Sequence, residues 1–239
     1  MNKKALITGA SRGIGEAIAK RMASEGYDLI LVCHNNIDRM VAMGKALEAK
    51  HNVNVTCYQG DIGDSAFVKT VFAEVESLDL LINNAGIAFI GLLQDMSDEE
   101  WNSVMSTNLD SIFYTCREAI KIMLPSHSGK IINISSMWGT VGASMEVAYS
   151  ASKGGMNSFT RALAKELAPS GISVNAIACG VIATDMNKCF SDEENAAIIE
   201  EIPAGRFADP AEVADVVAAI ATATPYLTGQ IIGLDGGFI

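Results

Sequence analysis

The chain has 239 residues and a formal net charge of −11, with 49% hydrophobic and 6% aromatic residues. That length fits one large α/β domain or two small ones and can bury a substantial, here aliphatic, core. The acidic balance argues against a general nucleic-acid binder, which needs a basic face.

The five cysteines, Cys33, Cys57, Cys116, Cys179 and Cys189, are scattered and lack metal-ligand spacing. They read as reduced, mostly buried thiols of a cytoplasmic protein, with no metal site expected. The opening does not read as a signal sequence. No apolar stretch approaches the roughly 20 residues that span a bilayer. Neither a membrane nor a nucleic-acid partner is expected.

Lys4 to Thr8 is a short apolar run ending in Thr8-Gly9-Ala10-Ser11-Arg12-Gly13-Ile14-Gly15. A pattern of helical period follows through Ile18 and Met22, stopped at Gly26, and Asp28 to Cys33 reads as a buried strand. Strand, glycine turn, helix and strand make the βαβ unit that binds dinucleotides. The glycines let a pyrophosphate approach the backbone, and the helix start offers it N–H groups and positive dipole. An acidic residue after the second strand would favour NAD. Here that place reads His34-Asn35-Asn36, with no carboxylate until Asp38. Arg12 in the turn could pair with a 2′-phosphate, which points to NADP.

The alternation continues. Arg39 to Lys50 reads as helix, Val53 to Tyr58 as strand, Ser65 to Glu76 as helix and Leu78 to Asn83 as strand. Asp61-Ile62 and Asn83-Asn84-Ala85-Gly86 follow strand ends. Ser97 caps a helix, with Glu100 as capping-box partner, that runs through Asn108 to about Met123. Lys130 to Ser135 is the fifth strand, and a helix carrying Tyr149 and Lys153 continues to Leu167. Ile172 to Ala178 is the sixth strand, Glu193 to Glu201 a short helix, Pro210 to Ala221 a helix and Gln230 to Leu234 the last strand. Seven strand signals alternating with helices predict an α/β fold. It is a single Rossmann-type domain over 1–239, a doubly wound parallel seven-stranded sheet with helices on both faces. Its ligand crevice lies at the carboxyl ends of the strands.

Tyr149 and Lys153, four apart, share one helix face. A fixed ammonium one turn away favours the phenolate, lowers the phenol pKa and gives a proton donor and acceptor usable near neutrality. Alone, the spacing is equally that of a half-buried ring beside a solvated lysine.

Taken together, Thr8-Gly9-x3-Gly13-x-Gly15, Asp61, Asn83-Asn84-Ala85-Gly86, Asn108, Ser136 and Tyr149-x3-Lys153 resemble the short-chain dehydrogenase/reductase family. The resemblance covers essentially the whole chain. It implies that Tyr149 protonates a carbonyl oxygen as hydride arrives from the nicotinamide. Lys153 then supports Tyr149 and binds the nicotinamide ribose, Ser136 holds the substrate oxygen, and Asn108 kinks its helix and holds a relay water. It further implies cofactor contacts from Gly9, Ser11, Arg12, Gly13, Ile14, Gly15, His34 and Asn35. Asp61 and Ile62 would meet adenine, Asn83, Ala85 and Gly86 would line the cofactor cleft, and Ile182 and Thr184 would close on the carboxamide. A substrate flap is expected at about 183–206, and a homotetramer as the assembly.

Cys179-Gly180 stands where the family usually has Pro-Gly, which brings a thiol, inert or oxidisable, near the nicotinamide. The nearest subgroup by pattern is the 3-oxoacyl-acyl carrier protein reductases, although only Lys130 is firmly basic where those enzymes place arginines for an acidic carrier protein. The chain is also similar to the bacterial elongation factor P 5-aminopentanone reductases over Ser135 to Gly139 and Val141 to Tyr149. There Trp138 and Glu146 would border the substrate mouth, and Glu146 could attract a cationic amine. A small alcohol or hydroxysteroid dehydrogenase and a non-catalytic NADP-sensing protein are the remaining alternatives.

Overall fold

The computed structural model describes residues 2–185 and 191–239. Seven parallel strands run in the order β3-β2-β1-β4-β5-β6-β7. They are β1 Lys4–Thr8, β2 Asp28–Cys33, β3 Val55–Gln59, β4 Leu80–Asn83, β5 Gly129–Ser136, β6 Ile172–Cys179 and β7 Ile231–Leu234. Chain order reverses between β1 and β4, and a doubly wound sheet opens a ligand crevice at such a switch point.

Strand alternation divides the core into two layers. Ala5, Ile7, Leu80, Ile82, Ile132 and Ile134 point to one face. That face is covered by α1 Gly13–Ser24, α2 Ile37–His51 and α9 Pro210–Thr222. Leu6, Leu81, Ile131 and Val174 point to the other face, under α3 Ser65–Ala73, α5 Ser111–Met123 and α7 Val147–Leu167. Central strands buried on both faces explain why their sequences are near-continuous apolar runs.

The helix expected from Ser97 to Met123 is interrupted. The Ser97–Glu100 capping box starts α4, Asp98–Met105. A five-residue π turn, Ser106–Asp110, then joins it to α5. A π turn inserts one extra residue into the ladder, so it is the local form of the kink expected at Asn108. A short helix, α6 Trp138–Val141, follows β5. In the stretch expected to be a flap, α8 spans Asp192–Glu201 behind a Ser191–Glu194 capping box. A parallel bridge pairs Ile182 with Ala208.

Lys130 does not face outward. Its ammonium donates to the Ile220 and Ala223 carbonyls at the end of α9, where a cation meets the negative end of the helix dipole. Cys33, Cys116 and Cys179 are buried, Cys57 is partly so, and all four are free thiols. Cys189 lies outside the described residues. No described helix is long and apolar enough to cross a membrane.

Candidate active site

A cavity of about 610 Å³ opens along the carboxyl ends of the strands. Its walls include Gly9 to Ile14 on the β1 side, Cys33 to Asn36 after β2, Asp61 and Ile62 after β3, and Ala85 and Gly86 after β4. Ser136, Tyr149 and Lys153 lie further along, with Ile182 and Thr184 at the flap base.

The glycine turn is built from inside. Gly9 and Gly13 take positive φ values of 67° and 55°, a region only glycine enters without cost. A Cβ on Gly15 would stand 2.2 Å from the Gly9 carbonyl oxygen, so a side chain cannot be added without opening the turn. The Thr8 hydroxyl accepts from the Asn84 and Ala85 backbone N–H groups, each at 3.0 Å. The Asn84 carboxamide donates back to the Thr8 and Gly9 carbonyls at 3.0 and 3.2 Å. Asn84, unassigned from sequence, therefore ties the ends of β1 and β4 together. The α1 N-terminus, whose Gly13 and Ile14 line the cavity, has no side-chain cap. An uncapped helix start behind a glycine turn fits a pyrophosphate.

Arg12, read as a 2′-phosphate ligand, pairs with Asp185 of the flap at 3.3 Å. It is 59% exposed and its partner 37%, so the pair contributes little stability and can be exchanged for another anion.

Asn83 departs from expectation. It is 3% exposed and its carboxamide turns into the core, donating to Asn133 at 2.9 Å and accepting from Thr115 at 2.8 Å. A carboxamide on the buried face of a strand cannot also line the cleft beyond its end, so the cleft wall here is Asn84, Ala85 and Gly86.

The titratable groups converge from β5, α7 and β6. Lys153 is 3% exposed. Its ammonium donates to the Ile134 carbonyl at 2.8 Å and lies 5.6 Å from the centroid of the Tyr149 ring. Burial lowers its pKa to about 8, with Cys179 opposing. Asn108 is fully buried behind this pair. Its carboxamide clasps Ile87, accepting from N–H at 2.9 Å and donating to the carbonyl at 2.8 Å. It also donates to Ser152 at 3.1 Å, and Ser152 donates on to the Tyr149 carbonyl at 2.7 Å.

The expected lowering of the Tyr149 pKa is reversed among this chain's own groups. Burial raises it, a hydrogen bond with Ser136 pulls it down, and Cys179 and Glu146 push it further up. The phenol is thus neutral at physiological pH, which suits a proton donor. The Cys179 thiol is pushed up to about 12 by burial, with Lys153 opposing. It is therefore a neutral thiol and a poor nucleophile.

Trp138 and Glu146 stand beside Tyr149 in the same cavity. Burial raises the Glu146 pKa, and a hydrogen bond from Trp138 lowers it. The Trp138 backbone N–H donates to the Ser136 hydroxyl at 3.2 Å. Its indole meets the Phe238 ring edge-on, with centroids 5.6 Å apart and an interplanar angle of 86°. Phe238 escaped the sequence reading, because nothing in the last residues shows that the tail returns to the cavity and packs against Trp138.

The chain is similar to known proteins along its whole length. A family model for short chain dehydrogenases matches residues 3–195. The chain is 40% identical over 242 aligned positions to a Staphylococcus aureus protein named 3-oxoacyl-[acyl-carrier-protein] reductase FabG, covering 99% of this chain and 98% of that one. It is 38% identical over 240 positions to the Bacillus subtilis oxidoreductase YmfI, covering 100% and 99%. Among solved structures it matches an actinorhodin polyketide ketoreductase with NADPH at a TM-score of 0.93 and 32% identity, covering 99% of this chain and 97% of that one.

Proposed function

The chain belongs to the short-chain dehydrogenase family, and from that premise we propose that it reduces a carbonyl to an alcohol with NADPH, its substrate a 3-oxoacyl thioester on acyl carrier protein. One observation carries the reading: Ser136, Tyr149 and Lys153 line one cavity with the glycine turn. Bound there, the nicotinamide supplies the hydride.

The chain's own residues do the rest. The α1 N-terminus receives the pyrophosphate. Ser136 and the Tyr149 hydroxyl fix the substrate oxygen, and Tyr149 gives it a proton as negative charge develops. Lys153 holds positive charge beside Tyr149 and contacts the ribose. Asn108, through Ser152, fixes the turn between Tyr149 and Lys153, and a water at its helix kink re-supplies the proton. Arg12, now paired with Asp185, would hold a 2′-phosphate, and the absence of a carboxylate at His34 to Asn36 removes the usual NAD ligand. The residues that retain catalytic chemistry argue against a non-catalytic sensor.

A second reading is favoured by Glu146. Its half-buried carboxylate and the Trp138 indole border the substrate mouth, and among the described residues the basic ones lining the cavity are Arg12, His34 and Lys153. With Lys130 engaged by α9, a ketone bearing a protonated amine, such as 5-aminopentanone carried on elongation factor P, fits that mouth. A small alcohol or hydroxysteroid is the third reading. Exposed apolar side chains on α5, Phe113, and flanking β7, Tyr226 and Ile239, support a homotetramer, and the protein is read as cytoplasmic.

The test is NADPH oxidation with acetoacetyl-acyl carrier protein, 5-aminopentanonylated elongation factor P and a small ketone. Fastest turnover on the first supports the leading reading, and fastest turnover on the second replaces it. Tight NADPH binding without turnover on any would make the protein a sensor.

A further inference from the structure

We propose that Asn83 and Asn133 are positioning residues, whose paired carboxamides set the spacing between the helix carrying Asn108 and the helix carrying Tyr149 and Lys153. The proposal rests on the reading of those residues as a proton-transfer group.

Asn83 and Asn133 are register partners on β4 and β5. Their neighbours on the same face, Leu81 and Ile131, are apolar core residues. Two carboxamides, 3% and 0% exposed, thus stand in a hydrophobic layer, where a polar group is costly unless bonded. They are bonded in a continuous chain. Thr115 of α5 donates to Asn83 at 2.8 Å, Asn83 donates to Asn133 at 2.9 Å, and Asn133 donates to Thr160 of α7 at 2.8 Å. Thr160 closes the chain on the Met156 carbonyl at 2.8 Å. Both threonines are fully buried.

The sequence positions give this chain its purpose. Thr115 lies seven residues after Asn108, and Thr160 seven residues after Lys153. Seven residues are two turns of a regular helix, so Thr160 shares a face of α7 with Lys153, while on the other side Thr115 lies about two turns beyond Asn108, the π turn taking up part of that span. At the cavity end the same two helices meet directly, through Asn108 and Ser152 at 3.1 Å. The result is a frame bonded at both ends. Between them, Ser135 donates to Asn157 at 2.7 Å, one turn after Lys153. Loosening the lower rung leaves α7 held to β5 by Ser135–Asn157 and Lys153–Ile134, and hydrogen-bonded to the Asn108 helix, among the described residues, by the Asn108–Ser152 contact alone. With the spacing of the two helices set at one end only, Tyr149 shifts relative to Ser136, which belongs to β5 and stays in place.

The test uses Thr160→Val, which keeps shape and removes the hydroxyl, with Thr160→Ser restoring it. Three quantities are measured: steady-state turnover of the substrate found above, NADPH affinity by fluorescence, and amide hydrogen exchange. Thr160→Val should lower kcat about a hundredfold, the effect of an ångström-scale misplacement, while KM and NADPH affinity stay within about threefold. Exchange should quicken at 106–110 and 147–153 but not in the strands, and Thr160→Ser should recover both properties. A folded Thr160→Val with kcat within about twofold of the parent and unchanged exchange overturns the proposal. If Thr160→Val does not fold, Thr115→Val carries the same expectations. If neither folds, the chain serves folding and the proposal falls. A parent with no turnover would defeat the functional reading alone. Exchange then decides here, quickening at both segments sustaining the proposal and no change overturning it.

Discussion

The Lys153 ammonium donates to the Ile134 carbonyl at 2.8 Å while lying 5.6 Å from the centroid of the Tyr149 ring. The charge is therefore pinned to β5, the strand that ends in Ser136. Tyr149 stays protonated because burial outweighs the Ser136 hydrogen bond. A neutral phenol beside a fixed cation can release a proton when an adjacent oxygen becomes negative, and it resists doing so earlier.

Tyr149→Phe tests that role. The variant keeps the ring and loses only the hydroxyl, so turnover should fall by about three orders of magnitude, within the range for a positioned acid. NADPH affinity, measured by fluorescence, should change less than about threefold, because the glycine turn proposed to hold the pyrophosphate is left intact. Substantial turnover in Tyr149→Phe would refute the assignment of the acid.

Lys153→Met separates function from stability. The Lys153 pKa in the fold, about 8, lies below its ordinary value of 10.5 because burial disfavours the ammonium. Below pH 8 the buried charge costs stability in full. From 8 to 10.5 the unfolded chain holds a proton the fold has released, so stability rises through that window and the cost is gone above it. Lys153→Met should be inactive yet more stable than the parent at pH 7 by urea denaturation, and that advantage should vanish above about pH 10.5. A variant less stable than the parent at pH 7 would show that the ammonium's bond to Ile134 outweighs its desolvation.

Much of this was legible in the sequence, and for a clear reason. Apolar runs and period-3.6 patterns are set by burial, so the seven strands and the doubly wound parallel sheet followed from them. Residues at strand ends, such as Asp61, Gly86 and Ser136, were found because topology gathers strand ends at one crevice. Cross-chain pairing left no such mark. Arg12 was read toward a phosphate without its partner Asp185, 173 positions away. The family resemblance put Asn83 in the cleft with Ala85 and Gly86, whereas strand alternation sends its carboxamide to α5. The one available signal was Ile-Ile-Asn-Ile-Ser-Ser: Asn133 and Ser135 are polar on one face of a fully buried strand, so a polar partner had to wait on that face.

Arg12→Ala and Asp185→Asn probe cofactor choice together. If Arg12 receives the 2′-phosphate, Arg12→Ala should weaken NADPH about ten- to a hundredfold, the scale of a charge-assisted hydrogen bond, and leave NADH nearly unchanged. Asp185→Asn removes a competing carboxylate and should tighten NADPH by up to about fivefold at low salt, less at high salt. Equal NADPH and NADH affinities in the parent would remove the case for NADP.

Glu146→Gln addresses substrate identity and has a stability signature that does not depend on finding the substrate. Burial raises the Glu146 pKa above its ordinary value of 4.5, despite the hydrogen bond from Trp138. The folded chain therefore binds more protons than the unfolded one between 4.5 and the raised value, and stability falls as pH rises through that window. A glutamine accepts the same indole hydrogen bond without the charge. Glu146→Gln should be more stable than the parent at pH 7, and the difference should close below about pH 4.5, where both side chains are neutral. On the substrate side, the same change should raise KM for an amine-bearing ketone and leave or lower KM for an acyl thioester, because only the first draws on the carboxylate. An unchanged ratio of kcat/KM for the two substrates would mean that Glu146 serves only to hold Trp138 against Phe238.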